Sequence, residues 1–538
     1  MAQDACKVLM VYPRFAADTF WNFGKTCEVF GAKYPAAPLG LITVAALLPN
    51  TWDIRLINRN TEELTDSDLD WADLVVTGGM LPQQIDTLDI VDICRARQKP
   101  VAVGGPAVSS SPHIYKKANF RIVGEAEDII VNFVESWQKG ARDGLFEAEK
   151  FQVDVTKSPI PRFDLLKFDQ YLHVGVQFSR GCPFTCEFCD IIELYGRVPR
   201  TKSSAQMLAE LESLYQLGYR GHVDFVDDNL IGNKKSLKAF LPELTKWLET
   251  HNYPFEFTTE ASINLADDAE LLAMLNAANF VGVFVGIESP NTATLIAMRK
   301  KQNTRRSIAE SIHKLYAAGL FVTAGFIVGF DSEKESIAEA MIDLIEEAAI
   351  PVSMVGLLYA LPNTQLTRRL EKEGRLHPHP ERQPAGSADQ CTMGLNFETL
   401  RPRQEILDDY KRVLEKIYDP VAYTGRLQRL AKMLDNSNRK KRTSAQDSRR
   451  KLSSLEIMHR IITNLPEPRD VFQRTLSQCL STNPQSARWL VALMALYLHL
   501  GPFSRVVIER IENIMQELES TPLTPRAPAE QLSPTLTM

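Results

Sequence analysis

Three cysteines within one short segment constrain this chain more than any other feature. Cys182, Cys186 and Cys189 lie in Arg180-Gly-Cys-Pro-Phe-Thr-Cys-Glu-Phe-Cys-Asp190, just after an apolar run at 173–178. Thiolates bunched this tightly bind a metal or a redox cluster. A disulfide is the rival reading, but three cysteines cannot all pair, and nothing marks the chain as secreted. Zinc is a better rival, yet its sites usually draw four ligands from two separated pairs. The sequence contains no second pair. Three thiolates suit a [4Fe–4S] cluster whose fourth iron stays open to another ligand.

Length and composition narrow the setting. At 538 residues the chain is too long for one ordinary core, so two to four domains are expected. With 44% hydrophobic and 24% charged residues it reads as soluble and globular. A net charge of -6 gives no case for a nucleic-acid partner. The first residues lead straight into Val8–Tyr12 without a signal-peptide pattern. The longest apolar run, Trp489–Leu498, is too short to span a bilayer. A cytoplasmic location follows as the expectation. The other five cysteines are scattered and read as small apolar residues.

Residues 1–140 alternate short β-branched runs (Val8–Tyr12, Ile54–Ile57, Leu74–Thr77, Val101–Val103, Arg121–Val123) with helical stretches such as Gly40–Leu48 and Gln84–Arg97. That pattern predicts an α/β domain with a doubly wound parallel sheet. Gly78-Gly79 and Gly104-Gly105 end two of the runs, where glycines let backbone approach a ligand or simply turn the chain. No G-x-G-x-x-G follows the first run, so a nicotinamide site is not expected. Residues 141–172 form a connector whose Ser158-Pro-Ile-Pro cannot be helical.

Residues 173–375 hold six strand–helix units and predict a partial (β/α)6 barrel. Function in such barrels sits at the carboxyl ends of strands, where Cys182–Cys189, Asp227-Asp228-Asn229, Glu260, Glu288-Ser289 and Gly329-Phe-Asp331 fall. Each acid there precedes a helix, so helix capping is the alternative reading. The cations of Tyr195–Lys202 lie near the cysteines, whereas Lys300–Arg306 reads as surface.

Residues 376–518 form a helical region. It opens on a polar loop with His377 and His379 and one helical pattern over 401–434. A basic segment at 439–451 reads as a linker, or as contact with an anionic membrane face. Arg488–Leu498 reads as a buried or membrane-docking helix. Residues 519–538 predict a disordered tail.

The spacing C-x3-C-x2-C after a strand, with Phe188 before the last cysteine, resembles the radical S-adenosylmethionine (SAM) signature. The resemblance implies that the open iron chelates SAM, whose reductive cleavage yields a 5′-deoxyadenosyl radical. It also implies an electron donor such as flavodoxin or ferredoxin. By position it gives Asp227 or Asp228 the SAM ammonium, Glu288 the ribose and Phe188 the adenine. Tyr12-Pro-Arg, Gly78-Gly79, Val103-Gly-Gly-Pro106 and Val123-Gly-Glu-Ala-Glu127 resemble the cobalamin domain that precedes many such barrels. Tyr12, Gly78, Gly79, Gly104, Gly105, Gly124 and Glu125 are the contacts so implied. The Asp-x-His-x-x-Gly motif of mutase-type domains is missing, since His113 has no such context, so no histidine lower ligand is expected.

The two domains in this order resemble class B radical SAM methyltransferases, which place a methyl group on carbons without useful acidity. Tyr34–Ala46, Leu56-Ile-Asn-Arg-Asn-Thr61, Phe225–Asn233, Asn396-Phe-Glu-Thr399 and Ile417-Tyr-Asp-Pro420 are similar to the hopanoid 2-methyltransferase family. That likeness implies a polycyclic lipid substrate and peripheral membrane contact. The alternatives are the same cofactors acting on a peptide, antibiotic or tetrapyrrole, and a non-enzymatic cobalamin-binding regulator. A tRNA methylthiotransferase would need three more clustered cysteines upstream.

Overall fold

The computed structural model describes residues 5–16, 18–377, 391–392, 394–437, 439 and 454–520. His379, the basic segment beyond Arg439 and the tail from 521 lie outside them. Among the described residues there are fifteen strands. They are β1 (Lys7–Tyr12), β2 (Tyr34–Ala36), β3 (Asp53–Asn58), β4 (Leu74–Gly78), β5 (Val101–Gly104), β6 (Phe120–Val123), β7 (Gly144–Glu147), β8 (Tyr171–Val176), β9 (Ser179–Arg180), β10 (Arg200–Thr201), β11 (Gly221–Phe225), β12 (Phe255–Glu260), β13 (Phe280–Glu288), β14 (Phe321–Val328) and β15 (Val352–Leu357).

The N-terminal sheet is parallel in the order β3-β1-β4-β5-β6-β7. The near-continuous apolar strands β1 and β4 sit at its centre, covered on both faces by separate cores. The order reverses between β1 and β4, which opens a crevice beyond their carboxyl ends. The predicted strands all form. The connector supplies one more, because β7 pairs with β6 from Phe120↔Gly144 to Val123↔Glu147.

The second sheet is also parallel, in the order β15-β14-β13-β12-β11-β8-β2. Six of its strands are those of the predicted half-barrel, with helices between them on the outside. The seventh, β2, comes from the N-terminal third of the sequence. It pairs Tyr34 with Tyr171 and Ala36 with His173. The boundary at 140 therefore does not separate two independent units. The chain leaves the first sheet after β1, adds an edge to the second, and returns through helix Leu39–Leu47 to β3. Proline within Tyr34-Pro-Ala kept that strand out of the sequence reading, since proline suits only a strand's edge.

The stretch 401–434 is two helices, Arg403–Ile417 and Pro420–Met433. Asp419 breaks it by accepting from the amides of Val421 at 2.9 Å and Ala422 at 3.0 Å, with proline fixing the first turn. Three further helices follow: Ser454–Asn464, Arg469–Thr482 and Ala487–Ser520. By length and composition the last could cross a membrane, but 56% of its most apolar stretch is buried inside the protein. It packs on the excursion between β1 and β2, where Thr26 Oγ1 donates to Ala495 O (3.0 Å) and His499 Nε2 donates to Thr19 O (3.1 Å). Arg439 is likewise not part of a free basic patch. Its guanidinium donates to Phe280 O and Gly319 O at the amino ends of β13 and β14.

Arg426 ties the helical region to the barrel. It is fully buried and donates to Ile350 O at 2.8 Å, to Ile417 O, and to the Glu346 carboxylate. Arg426→Met should cost roughly 2–4 kcal/mol, because two carbonyls lose a buried donor and Glu346 keeps only one of its two arginines. Urea unfolding of the purified chain measures this.

Candidate active site

The cysteine loop begins where β8 ends. Asp227, two residues past β11, is 1% exposed and turns the chain there. Its Oδ2 accepts from the Phe178 amide at 3.0 Å, and its Oδ1 accepts from the amide and hydroxyl of Ser179. Asp228 Oδ2 accepts from the Gly181 amide at 2.7 Å. Burial lifts Asp227 to about 7 and Asp228 to about 6, against the hydrogen bonds each receives. Asp227 was a candidate for the SAM ammonium. Its oxygens accept from main chain and Ser179, so it pins the loop.

β9 and β10 form a two-stranded antiparallel ribbon, Arg180 opposite Arg200, and residues 181–199 between them carry all three cysteines. The Cys182 amide donates to Gly196 O and the Cys189 amide to Cys186 O, which curls the loop back on itself. Asn229 Nδ2 points at Cys182 Sγ from 3.9 Å. None of the cysteines forms a disulfide. Burial raises all three thiols, Cys189 most strongly, and the three are near enough to raise one another.

Among the described residues no three His, Cys, Asp or Glu side chains converge as the ligands of one ion do. That argues against a mononuclear zinc site. Thiolates at three corners of a four-iron cube stand further apart than ligands of a single ion. The donor set, three sulfurs on one loop and no imidazole, fits the cube.

Lys300, read from sequence as surface, is the residue the sequence most misrepresented. It is 8% exposed, and its Nζ donates to Glu288 Oε1 at 2.5 Å. Burial opposes its charge, but Glu288 and the neighbouring Cys186 outweigh this and hold it above its ordinary value. A buried ammonium beside three future thiolates offsets part of their charge. Glu288 ends β13 with φ +68, where the register with β14 slips, an unfavourable conformation that aims its carboxylate inward over Gly286. Phe188 meets Phe330 edge-on at 5.9 Å. Glu260 Oε2 is buried without a partner, and burial together with Asp224 keeps that carboxyl well above its usual range.

At the carboxyl edge of the first sheet, a Cβ on Gly78 would sit 2.1 Å from Gly104 O, so glycine here lets β4 and β5 close on each other. Gly79 lies beneath the Gln83 side chain, and Gly105 faces the Gly79 backbone. These four glycines therefore shape the crevice wall by packing. Tyr12 closes β1, its phenol pushed up to about 12 by burial. Arg59, just past β3, has buried Nε and Nη1 atoms without a hydrogen-bond acceptor, although Asp86 stands 3.3 Å from Nη1. Two buried N–H groups without a hydrogen-bond acceptor beside the switch point fit an acceptor-rich ligand there, and the sequence reading missed them. His113 is exposed. Glu125 does not face this crevice freely, because it pairs with Arg180 and Arg200. A cavity of about 670 Å³ at the amino ends of the barrel strands is lined by none of the cysteines or strand-end acids.

Comparison with known proteins agrees with this geometry. Residues 176–345 match the Radical SAM superfamily, and residues 364–513 match a domain of unknown function. An uncharacterized methyltransferase of Synechocystis sp. is 45% identical over 422 residues, covering 78% of this chain and 77% of that one. The hopanoid C-2 methylase of Rhodopseudomonas palustris is 35% identical over 433 residues, 79% of each chain. Among solved structures, the cobalamin-dependent SAM radical enzyme OxsB superposes with a TM-score of 0.60 at 15% identity, covering 96% of this chain and 84% of that one. The radical SAM methyltransferase TsrM of Kitasatospora setae gives 0.57 at 14% identity, covering 79% and 95%. The fold and the cysteine loop define a radical SAM enzyme. The chain belongs to the radical SAM methyltransferase family.

Two outcomes follow. Asp227→Asn puts an NH2 group against a main-chain amide and should cost about 1–3 kcal/mol; thermal unfolding of the cofactor-free chain reports it. Because their thiols are raised, Cys182, Cys186 and Cys189 should react slowly with iodoacetamide at pH 8 in cofactor-free protein. Their rates should climb roughly tenfold per unit towards and beyond pH 9, with Cys189 slowest, by mass mapping.

Proposed function

We propose that this chain is a cobalamin-dependent radical C-methyltransferase that methylates a hopanoid at C-2. The observation that carries the substrate is the 35% identity to a hopanoid C-2 methylase across four-fifths of both chains. The 45% identical relative supports the reaction class and leaves the substrate open. Cys182, Cys186 and Cys189 would hold a [4Fe–4S] cluster. When bound, the cluster with SAM supplies hydrogen-atom abstraction, and cobalamin supplies the methyl group.

The chain's own residues bind and orient. Asp228, raised by burial, is the carboxylate suited to the SAM ammonium, which would favour its charged form. Glu288 with Lys300 offers an acceptor and a cation to the hydroxyls and carboxylate of the same ligand. The crevice beyond β1 and β4, with Tyr12, Gly78, Gly79, Gly104, Gly105 and Arg59 around it, suits the cobalamin. No side-chain base is required, which agrees with the lack of a base–nucleophile pair among these residues.

A polycyclic lipid calls for an apolar approach. The aromatic group Phe20, Trp21 and Phe23 packs near Phe503 of the long C-terminal helix, with Trp21 40% exposed. This end is the proposed face for contact with the cytoplasmic side of the membrane. A flavodoxin- or ferredoxin-type donor supplies the electron.

The test is expression in a hopanoid-producing host that lacks 2-methylhopanoids, grown without oxygen, with lipids analysed by mass spectrometry. A 2-methylated hopanoid should appear with the wild-type gene and be absent with Cys186→Ala. Unchanged lipids would refute the substrate. Labelled methyl from SAM entering a peptide or tetrapyrrole fraction would transfer the assignment to that substrate.

A further inference from the structure

Arg180 and Arg200 stand directly opposite each other on the β9–β10 ribbon. Like charges so placed repel. Here the anion between them comes from the other sheet. Glu125 Oε1 lies 3.1 Å from Arg180 Nη1, and its Oε2 lies 2.9 Å from Arg200 Nη1. Glu127 Oε1 adds a contact of 2.6 Å to Arg180 and accepts from Ser158 Oγ. The four side chains are between 5% and 15% exposed, so solvent screens them little.

Both cations are held from behind as well. Arg180 Nε donates to Gln177 Oε1, and Arg200 donates to Val153 O and Tyr195 O. The acids follow Gly124, which has φ +91 and whose Cβ would meet Ala148 at 2.9 Å; this turn carries them out of β6 towards the barrel. In Glu127 burial raises the carboxyl, but Arg180 and the Ser158 hydroxyl win and hold it below its usual range.

We propose that Glu125 and Glu127 are positioning residues: through Arg180 and Arg200 they lock the neck of the cysteine loop to the carboxyl edge of the N-terminal sheet. Arg180 is two residues from Cys182, and the neck brackets every cysteine. One carboxylate bridging two buried guanidinium groups, with a second acid on one of them, fixes direction as well as distance, which an apolar contact between the halves would not. The motif Val123-Gly-Glu-Ala-Glu127 then serves the spacing between the radical-forming loop and the crevice of the first sheet, with no direct ligand contact needed. This inference rests on the proposed two-site chemistry for its catalytic consequence, and on the geometry alone for its mechanical one.

The experiment compares wild type with Glu125→Gln and with Glu125→Asp, which keeps the charge but shortens its reach, as full-length chains. In cofactor-free protein, hydrogen exchange at 179–181 and 196–201 should quicken at least about tenfold in Glu125→Gln, while 121–123 stays unchanged. Wild-type exchange there would overturn the lock. In reconstituted enzyme the Gln variant should retain its iron and still cleave SAM. The 5′-deoxyadenosine formed per methyl group transferred, with labelled SAM and total lipid extract, should rise about tenfold, with Asp between. An unchanged ratio, or iron lost in parallel with cleavage, would mark a merely structural role and overturn the positioning claim. If wild type transfers no methyl group to lipid, the substrate proposal fails, and the exchange measurement still decides the lock.

Discussion

Everything at the site depends on two neighbouring carboxylates accepting four hydrogen bonds. Asp227 and Asp228 take the amides of Phe178, Ser179 and Gly181 and the Ser179 hydroxyl. A strand leaving a sheet has amide groups that lose their partners. These acids supply replacements and force β8 to turn into the ribbon instead of running on. The cost of burying them shows in their raised carboxyls; the return is a loop base whose direction is fixed before any cofactor arrives. The positive φ of Glu288 belongs to the same economy of strain, held by Lys300 from one side.

Much of this was readable in the chain because its signals are local. Six apolar runs followed by helical stretches located the half-barrel strands, five of them within a residue and the first within three, since a parallel strand buried on both faces leaves a dense β-branched record. The cysteine spacing needed no structure at all. What failed to show was long-range pairing. Glu125 and the arginines lie 55 and 75 positions apart, and nothing in either segment names the other. Lys300 sits in a run of cations that reads as solvated, and only the fold turns its side chain inward against Glu288. A three-residue strand with a central proline carries too little pattern to reveal that β2 belongs to the second sheet.

The barrel interior towards the amino ends of its strands is polar as well as apolar. His222 Nε2 meets Thr258 Oγ1 at 2.8 Å, Thr258 donates to Asp224, and His222 lies 3.7 Å from Glu256, which pairs with Arg488 on the last helix. His173, edge-on to His222, is pushed down to about 4 by burial and stays neutral.

The course of β2 sets the order in which the molecule can be finished. Tyr34 waits for Tyr171, and Thr26 just before it waits for Ala495, a partner 469 residues later. At ribosomal rates of roughly 5–20 residues per second, that second wait lasts from about half a minute to a minute and a half. The first sheet can form around β1, β3 and β4 in the meantime, leaving an aromatic-rich segment bare until that helix has been made. A nascent chain of this kind offers a long window for a holding chaperone, and its last helix acts as the closing latch of assembly.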